Sequence, residues 1–173
     1  MPETFASLLA KLSRADVEFL VAGGVAVFLN GYPRSTFDLD ILVEASAENV
    51  RRLLGCLALF GEGHARELEP GDFSAEEGAI RIQEDFALDV FTVMRSRTFA
   101  DLALTARTVE YDGASIPFLS AQSLIELKAA SMREKDQLDV AVLRRILRGE
   151  EPAEPRPLET LSPESAESEQ PES

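Results

Sequence analysis

The chain has 173 residues, 45% of them hydrophobic and 28% charged, enough for one compact core and too few for two. One cysteine, Cys56, excludes an internal disulfide, and one histidine, His64, excludes a Cys/His metal cluster. The net charge is −14, and much of it sits in residues 150–173, where eight glutamates and one arginine lie among prolines and serines.

Phe5, Leu8, Leu9 and Leu12 recur at helical spacing and predict an amphipathic helix ending near Ser13. Residues 17–22 read as a strand that runs into Gly23-Gly24, and residues 25–29 as a short helix closed by Asn30-Gly31 and Pro33. A second strand, residues 39–43, has aspartates at its entry. Residues 48–60 form a helix with Val50, Leu53, Leu54 and Leu57 on one face, and Cys56 reads as a small buried hydrophobe within it. Polar, glycine-bearing residues 61–79 are expected to be irregular. Strands over 79–83 and 86–93 follow, separated by a turn at Glu84-Asp85. A short helix over 99–104 precedes a hairpin of 108–111 and 115–119 that turns at Asp112-Gly113.

Helices over 121–132 and 136–147 close a domain of residues 1–149. This order predicts an α/β (α+β) fold: a mixed β-sheet flanked by helices, with a C-terminal helical pair. Residues 150–173 hold too little apolar surface to offset ordering and read as a disordered acidic tail. With neither a signal peptide nor an apolar run of membrane-spanning length, the expectation is a cytoplasmic protein with no membrane partner.

The sharpest local feature is Asp38-Leu39-Asp40. Residues two apart on a strand share a face, so both carboxylates project together while Leu39, Ile41 and Val43 face the core. Paired carboxylates repel, and a hard divalent cation such as Mg²⁺ or Mn²⁺ would relieve them; a solvated strand end is the plainer account of two such residues. Asp89 shifts the balance, because it lies in the apolar run Phe86-Ala87-Leu88-Asp89-Val90-Phe91, where a charge is costly unless paired or metal-bound. Set beside the first strand, it would complete a three-carboxylate site able to bridge two metal ions. Gly23-Gly24 between strand and helix offers backbone N–H groups to a phosphate, or simply makes a tight turn.

Together, Val21-Ala22-Gly23-Gly24, thirteen further residues, Asp38-Leu39-Asp40-Ile41 and the later lone aspartate resemble the nucleotidyltransferase fold of the DNA polymerase beta-like superfamily. The run from Gly31 through Arg34, Thr36, Asp38 and Asp40 is similar to the G-x-x-R-x-T-x-D-[LI]-D pattern of bacterial minimal nucleotidyltransferases, AbiEii-type toxins among them. Leu124 to Ala130, with Lys128, then Arg133, Lys135, Asp136 and Asp139, is similar to their C-terminal helical signature, so the resemblance spans about residues 5–148.

The resemblance implies that Gly23 and Gly24 hold nucleotide phosphates and that Asp38, Asp40 and Asp89 bind two Mg²⁺ or Mn²⁺ ions. Asp89 would also be the base toward the attacking hydroxyl. Lys128 would reach the triphosphate, or be an ordinary solvated lysine, and Arg34 and Thr36 would support phosphates or aspartates. Asp136 and Asp139 would orient Lys128 or form helix-surface pairs with Arg133 and Arg144, with a modest structural role preferred for Asp136 and Asp139 left open.

The implied activity is metal-dependent transfer of an NMP from an NTP such as ATP to a hydroxyl on RNA (tRNA), protein or a small molecule. A toxin–antitoxin setting with a cognate partner protein would fit that family. Basic clusters at Arg95 and Arg97 and at Arg144, Arg145 and Arg148 keep an RNA acceptor open despite the acidic balance. The alternative is a non-catalytic nucleotide- or partner-binding module with the same fold. A phosphoesterase is disfavoured because His64 stands alone.

Overall fold

The computed structural model describes residues 3–150 and 157–161. Helix α1 (Phe5–Arg14) starts at a reciprocal cap in which the Ser7 backbone N–H donates to the Thr4 hydroxyl and the Thr4 N–H to the Ser7 hydroxyl. Its buried face carries Phe5, Leu8, Leu9 and Leu12, as their spacing predicts. Strand β1 (Phe19–Ala22) is buried at every position and passes directly into α2 (Gly23–Leu29), which begins at the glycines rather than after them.

Strand β2 (Asp38–Val43) includes both aspartates, and α3 (Ala47–Leu57) follows. Asn49, fully buried on α3, donates to the Glu18 and Glu44 carbonyls at 2.9 and 2.8 Å and accepts from the Glu18 N–H at 2.7 Å. That amide ties the helix to the entry of β1 and the exit of β2, which leaves no orphaned polar group there.

Residues 61–78 contain two short 3-10 turns, at His64–Glu67 and Pro70–Asp72. Strands β3 (Ala79–Gln83) and β4 (Ala87–Phe91) flank the expected turn and pair antiparallel, the second ending two residues sooner than expected. Phe86 sits at the mouth of that turn, edge-on to Phe5 at 4.7 Å and tilted against Phe60 at 5.1 Å. A tiny hairpin of β5 (Val93–Met94) and β6 (Arg97–Thr98) follows, which the sequence does not announce. Its turn puts Arg95 and Ser96 in left-handed backbone, and both their N–H groups donate to the Glu77 carboxylate.

Helix α4 (Phe99–Ala103) leads to the hairpin of β7 (Arg107–Tyr111) and β8 (Ala114–Phe118), then α5 (Ala121–Lys128) and α6 (Glu134–Leu147). The last two helices depart from expectation at their junction. Helix α5 ends four residues sooner and α6 starts two sooner, because Ser131 binds the connection: its hydroxyl donates to Asp136 at 2.7 Å and accepts from the Arg133 N–H at 3.2 Å.

Among the described residues the main sheet runs β3-β4-β2-β1-β8-β7. It is mixed: β1 with β2, β3 with β4 and β7 with β8 are antiparallel, whereas β2 with β4 and β1 with β8 are parallel. Helix α1 contacts β8 and α3, and α2 contacts β1, β2 and α5, so helices cover the central strands. Residues of β1 and β2 such as Val21, Ile41 and Leu42 are accordingly fully buried.

Of the expected acidic tail, Glu150 and residues 157–161 are described: a turn at Leu158–Thr160 lies against β7, and Leu158 and Leu161 join the core. Residues 151–156 and 162–173 of it lie outside the described residues. Among the described residues no helix is long and apolar enough to cross a membrane.

Candidate active site

The parallel pairing of β2 with β4 sets Asp40 opposite Asp89 and Asp38 opposite Ala87. Since alternate residues of a strand share a face, the three carboxylates predicted from sequence emerge side by side. Asp89 is buried, with 8% of its surface exposed, and the Asp38 side chain is half-exposed. The Asp40 carboxyl is pushed up to about 6, first by burial, then by the charges of Asp89 and Asp38, with Lys128 acting in the opposite sense. Two acids flank a desolvated carboxyl, so negative charge is concentrated on this face.

The glycine turn abuts this cluster. Ala22 pairs with Asp40 across β1 and β2, and Gly23, at φ 58°, bends the chain away just beneath the Asp40 carboxylate. A Cβ on Gly23 would stand 2.8 Å from the Asp40 carboxyl carbon, and one on Gly24 would stand 2.7 Å from Arg34 Nη2 and 2.8 Å from Thr36 Oγ1. Both glycines therefore admit site side chains to close approach. Gly23→Ala is expected to cost the fold roughly 1–2 kcal/mol through its left-handed backbone alone. It should also displace Asp40, so the midpoint of thermal denaturation should fall.

Arg34 and Thr36 occupy the loop before β2. Thr36 is buried, and its hydroxyl donates to the Asp38 carbonyl at 3.2 Å, bracing the strand entry. Arg34 Nη1 reaches across to α6 and donates to both oxygens of Asp139, at 2.6 and 2.8 Å. Asp139 is fully buried and also holds Lys128 Nζ at 3.1 Å. Lys128 in turn lies 2.8 Å from Asp136 Oδ1. Although burial pushes the Asp136 carboxyl up, its hydrogen bonds from Lys128 and Ser131 hold it below the ordinary range.

These contacts match the first of the two readings offered for Asp136 and Asp139: both bind Lys128, and Asp139 binds Arg34 as well. Lys128 is not a freely solvated lysine, since only 15% of its side chain is exposed.

Sequence reasoning missed Arg81. It stands opposite Asp89 in the β3–β4 register. Arg81 Nε donates to Asp89 Oδ1 at 2.8 Å, and Nη2 to Asp89 Oδ2 at 2.8 Å and to Asp38 Oδ2 at 3.1 Å. Both oxygens of Asp89 are thus engaged, and its guanidinium is held protonated even more firmly than usual by these acids. No three-ligand metal cluster is assembled among the described residues. The donor chemistry nonetheless suits a hard divalent cation: carboxylate oxygens on one face, one of them desolvated beside two others.

The mixed sheet, the strand-to-helix glycine turn and the aspartates on adjacent parallel strands constitute a nucleotidyltransferase fold. TM1012 of Thermotoga maritima, provisionally assigned as a nucleotidyltransferase, shares it at 19% identity and a TM-score of 0.50, over 82% of this chain and 89% of that one. Also similar are the lincomycin-bound lincosamide antibiotic adenylyltransferase LnuA (17% identity, 74% of this chain, 86% of that one, TM-score 0.49) and an antigenic nucleotidyltransferase-like protein from Paracoccidioides brasiliensis (16%, 83%, 73%, 0.47). No family model and no curated protein sequence matches the chain.

Proposed function

We propose that this protein is a divalent-metal-dependent nucleotidyltransferase that moves an NMP from an NTP to a hydroxyl acceptor. The observation that carries the reading is the register that sets Asp40 beside Asp89, with Asp38 on the same face and the glycine turn against Asp40. In the proposal Asp38 and Asp40, joined by Asp89, hold two Mg²⁺ or Mn²⁺ ions. Such ions, when bound, supply Lewis-acid activation of the attacking hydroxyl and charge neutralisation at the departing pyrophosphate.

The chain's own groups do the rest. Backbone N–H groups at Gly23 and Gly24 face the phosphates, and Lys128 contributes a cation that Asp136 and Asp139 keep oriented. Arg34 acts through Asp139, steadying Lys128 from the loop that also leads into β2. Asp89, once released by Arg81, accepts the proton of the attacking hydroxyl.

The acceptor in this reading is an RNA or protein hydroxyl, and a toxin–antitoxin partnership rests on the sequence resemblance alone. The grip of Arg81 on Asp89 favours a second reading, in which the fold serves as a non-catalytic nucleotide- or partner-binding module. Incubation with α-labelled NTPs, Mg²⁺ or Mn²⁺, and separate tRNA and protein pools distinguishes the two. Label transfer that Asp38→Asn abolishes supports the enzyme. Absence of transfer, together with absence of any NTP-induced thermal shift, sinks it.

A further inference from the structure

We propose that Arg81 is a built-in counter-ion that competes with the divalent cation, so that Asp89 and Asp38 become available to metal only as the guanidinium leaves. The inference rests on the metal-dependent reading above and specifies how that site is loaded.

Three observations carry it. First, Arg81 takes both oxygens of Asp89 and one of Asp38, and these are oxygens that a hard cation would need. A lone pair directed at a guanidinium N–H is not available to a metal, and two cations drawn to one carboxylate repel each other. Second, the two partners differ in freedom. Asp89 is fixed on the inner strand β4 and buried, whereas Arg81 stands on β3, the end strand of the sheet, with 55% of its side chain exposed. Rotation of the long arginine side chain into water therefore suffices to vacate Asp89 without moving the backbone.

Third, the cluster would otherwise keep charges that the fold disfavours. Asp38, Asp40 and Asp89 lie together, and a buried carboxylate without a partner is costly. Arg81 offsets part of that charge in the metal-free site, and the metal would take its place. The exchange leaves Asp89 with a cationic partner in both states. It also guards the proposed base, since Asp89 cannot accept a proton while both its oxygens are held.

Mn²⁺ titration of the whole protein, followed calorimetrically and by loss of the free-ion EPR signal, tests the exchange in wild type, Arg81→Gln, Arg81→Lys and Asp40→Asn. Arg81→Gln is expected to bind Mn²⁺ about tenfold more tightly than wild type, as follows from removing a charge-assisted competitor. Its metal-free melting temperature should fall, and Mn²⁺ should restore it. Arg81→Lys, which keeps the charge but loses the two-pronged grip, should bind with intermediate affinity and decides the matter if Arg81→Gln does not fold.

Equal or weaker Mn²⁺ binding in a folded Arg81 variant overturns the exchange while leaving the metal site intact. If neither wild type nor the Arg81 variants bind Mn²⁺, or if Asp40→Asn binds it as wild type does, the metal-dependent reading falls and the exchange falls with it.

Discussion

Replacing Asp139 with alanine is expected to destabilise the protein by about 3–5 kcal/mol, the range for removing one partner of a buried ion pair. The Asp139 side chain is 1% exposed, and its two oxygens satisfy Arg34 from one side and Lys128 from the other. Arg34 is itself only 13% exposed, and its Nε already lacks a partner. Deleting the carboxylate would leave two cations facing each other in a site that water scarcely reaches.

Such a loss is a large fraction of the stability of any domain this size. Urea denaturation should report it as a lower midpoint with an unchanged slope. Asp136→Ala is the control. Its carboxylate is more exposed and shares Lys128 with Asp139, so a much smaller loss is expected. If the two variants proved equally mild, the link from α6 to the loop before β2 would not be the tie described above.

Asp40→Asn is expected to behave in the opposite way: activity falls by about 100-fold or more, on the scale of removing one essential electrostatic group, while metal-free stability at neutral pH holds or rises. The reasoning starts from the carboxyl, whose value in the fold is raised from 3.8 to about 6 by burial and by Asp89 and Asp38. A carboxyl with a raised value favours folding in its protonated form. Its contribution is complete below about pH 4 and is lost as pH rises through about 6, because beyond that point the buried group must be ionised.

The metal-free protein should thus lose stability between those two pH values, by on the order of 3 kcal/mol at most. The loss should disappear in Asp40→Asn and shrink when Mg²⁺ or Mn²⁺ is added. Thermal denaturation at a series of pH values, with and without metal, measures all three effects. A pH profile of wild type that matches Asp40→Asn would refute the strained carboxyl. A residue that weakens the fold yet is needed for chemistry is the expected signature of a working site.

Much of this was legible in the chain because its signals are local. Asp38 and Asp40 share a face by strand periodicity, and the glycines stand where strand meets helix. Arg81 escaped notice because an arginine within Ala79-Ile80-Arg81-Ile82-Gln83 looks like the solvated position of an alternating strand. Its role depends on the register of a hairpin, and a shift of one residue at the turn would have sent it to the other face. A cue was present in hindsight: Arg81 and Asp89 stand equally far from the turn, opposite charges at cross-strand positions.

Asp139 hid differently. It lies at helical spacing with Val140, Leu143 and Ile146 and belongs to the buried face of α6, so its position marked it as an interior charge. What periodicity could not supply was the partner, since Arg34 lies more than a hundred residues away in sequence.

Leu158 and Leu161 have a consequence for how the molecule meets its own copies. β7 ends the sheet, and the outer side of an end strand is where another chain could add itself by backbone pairing. The turn at Leu158–Thr160 lies against that strand and seats its two leucines in the core. Among the described residues, 157–161 are thus anchored by their leucines beside this end strand, and a copy adding itself to β7 would do so next to them.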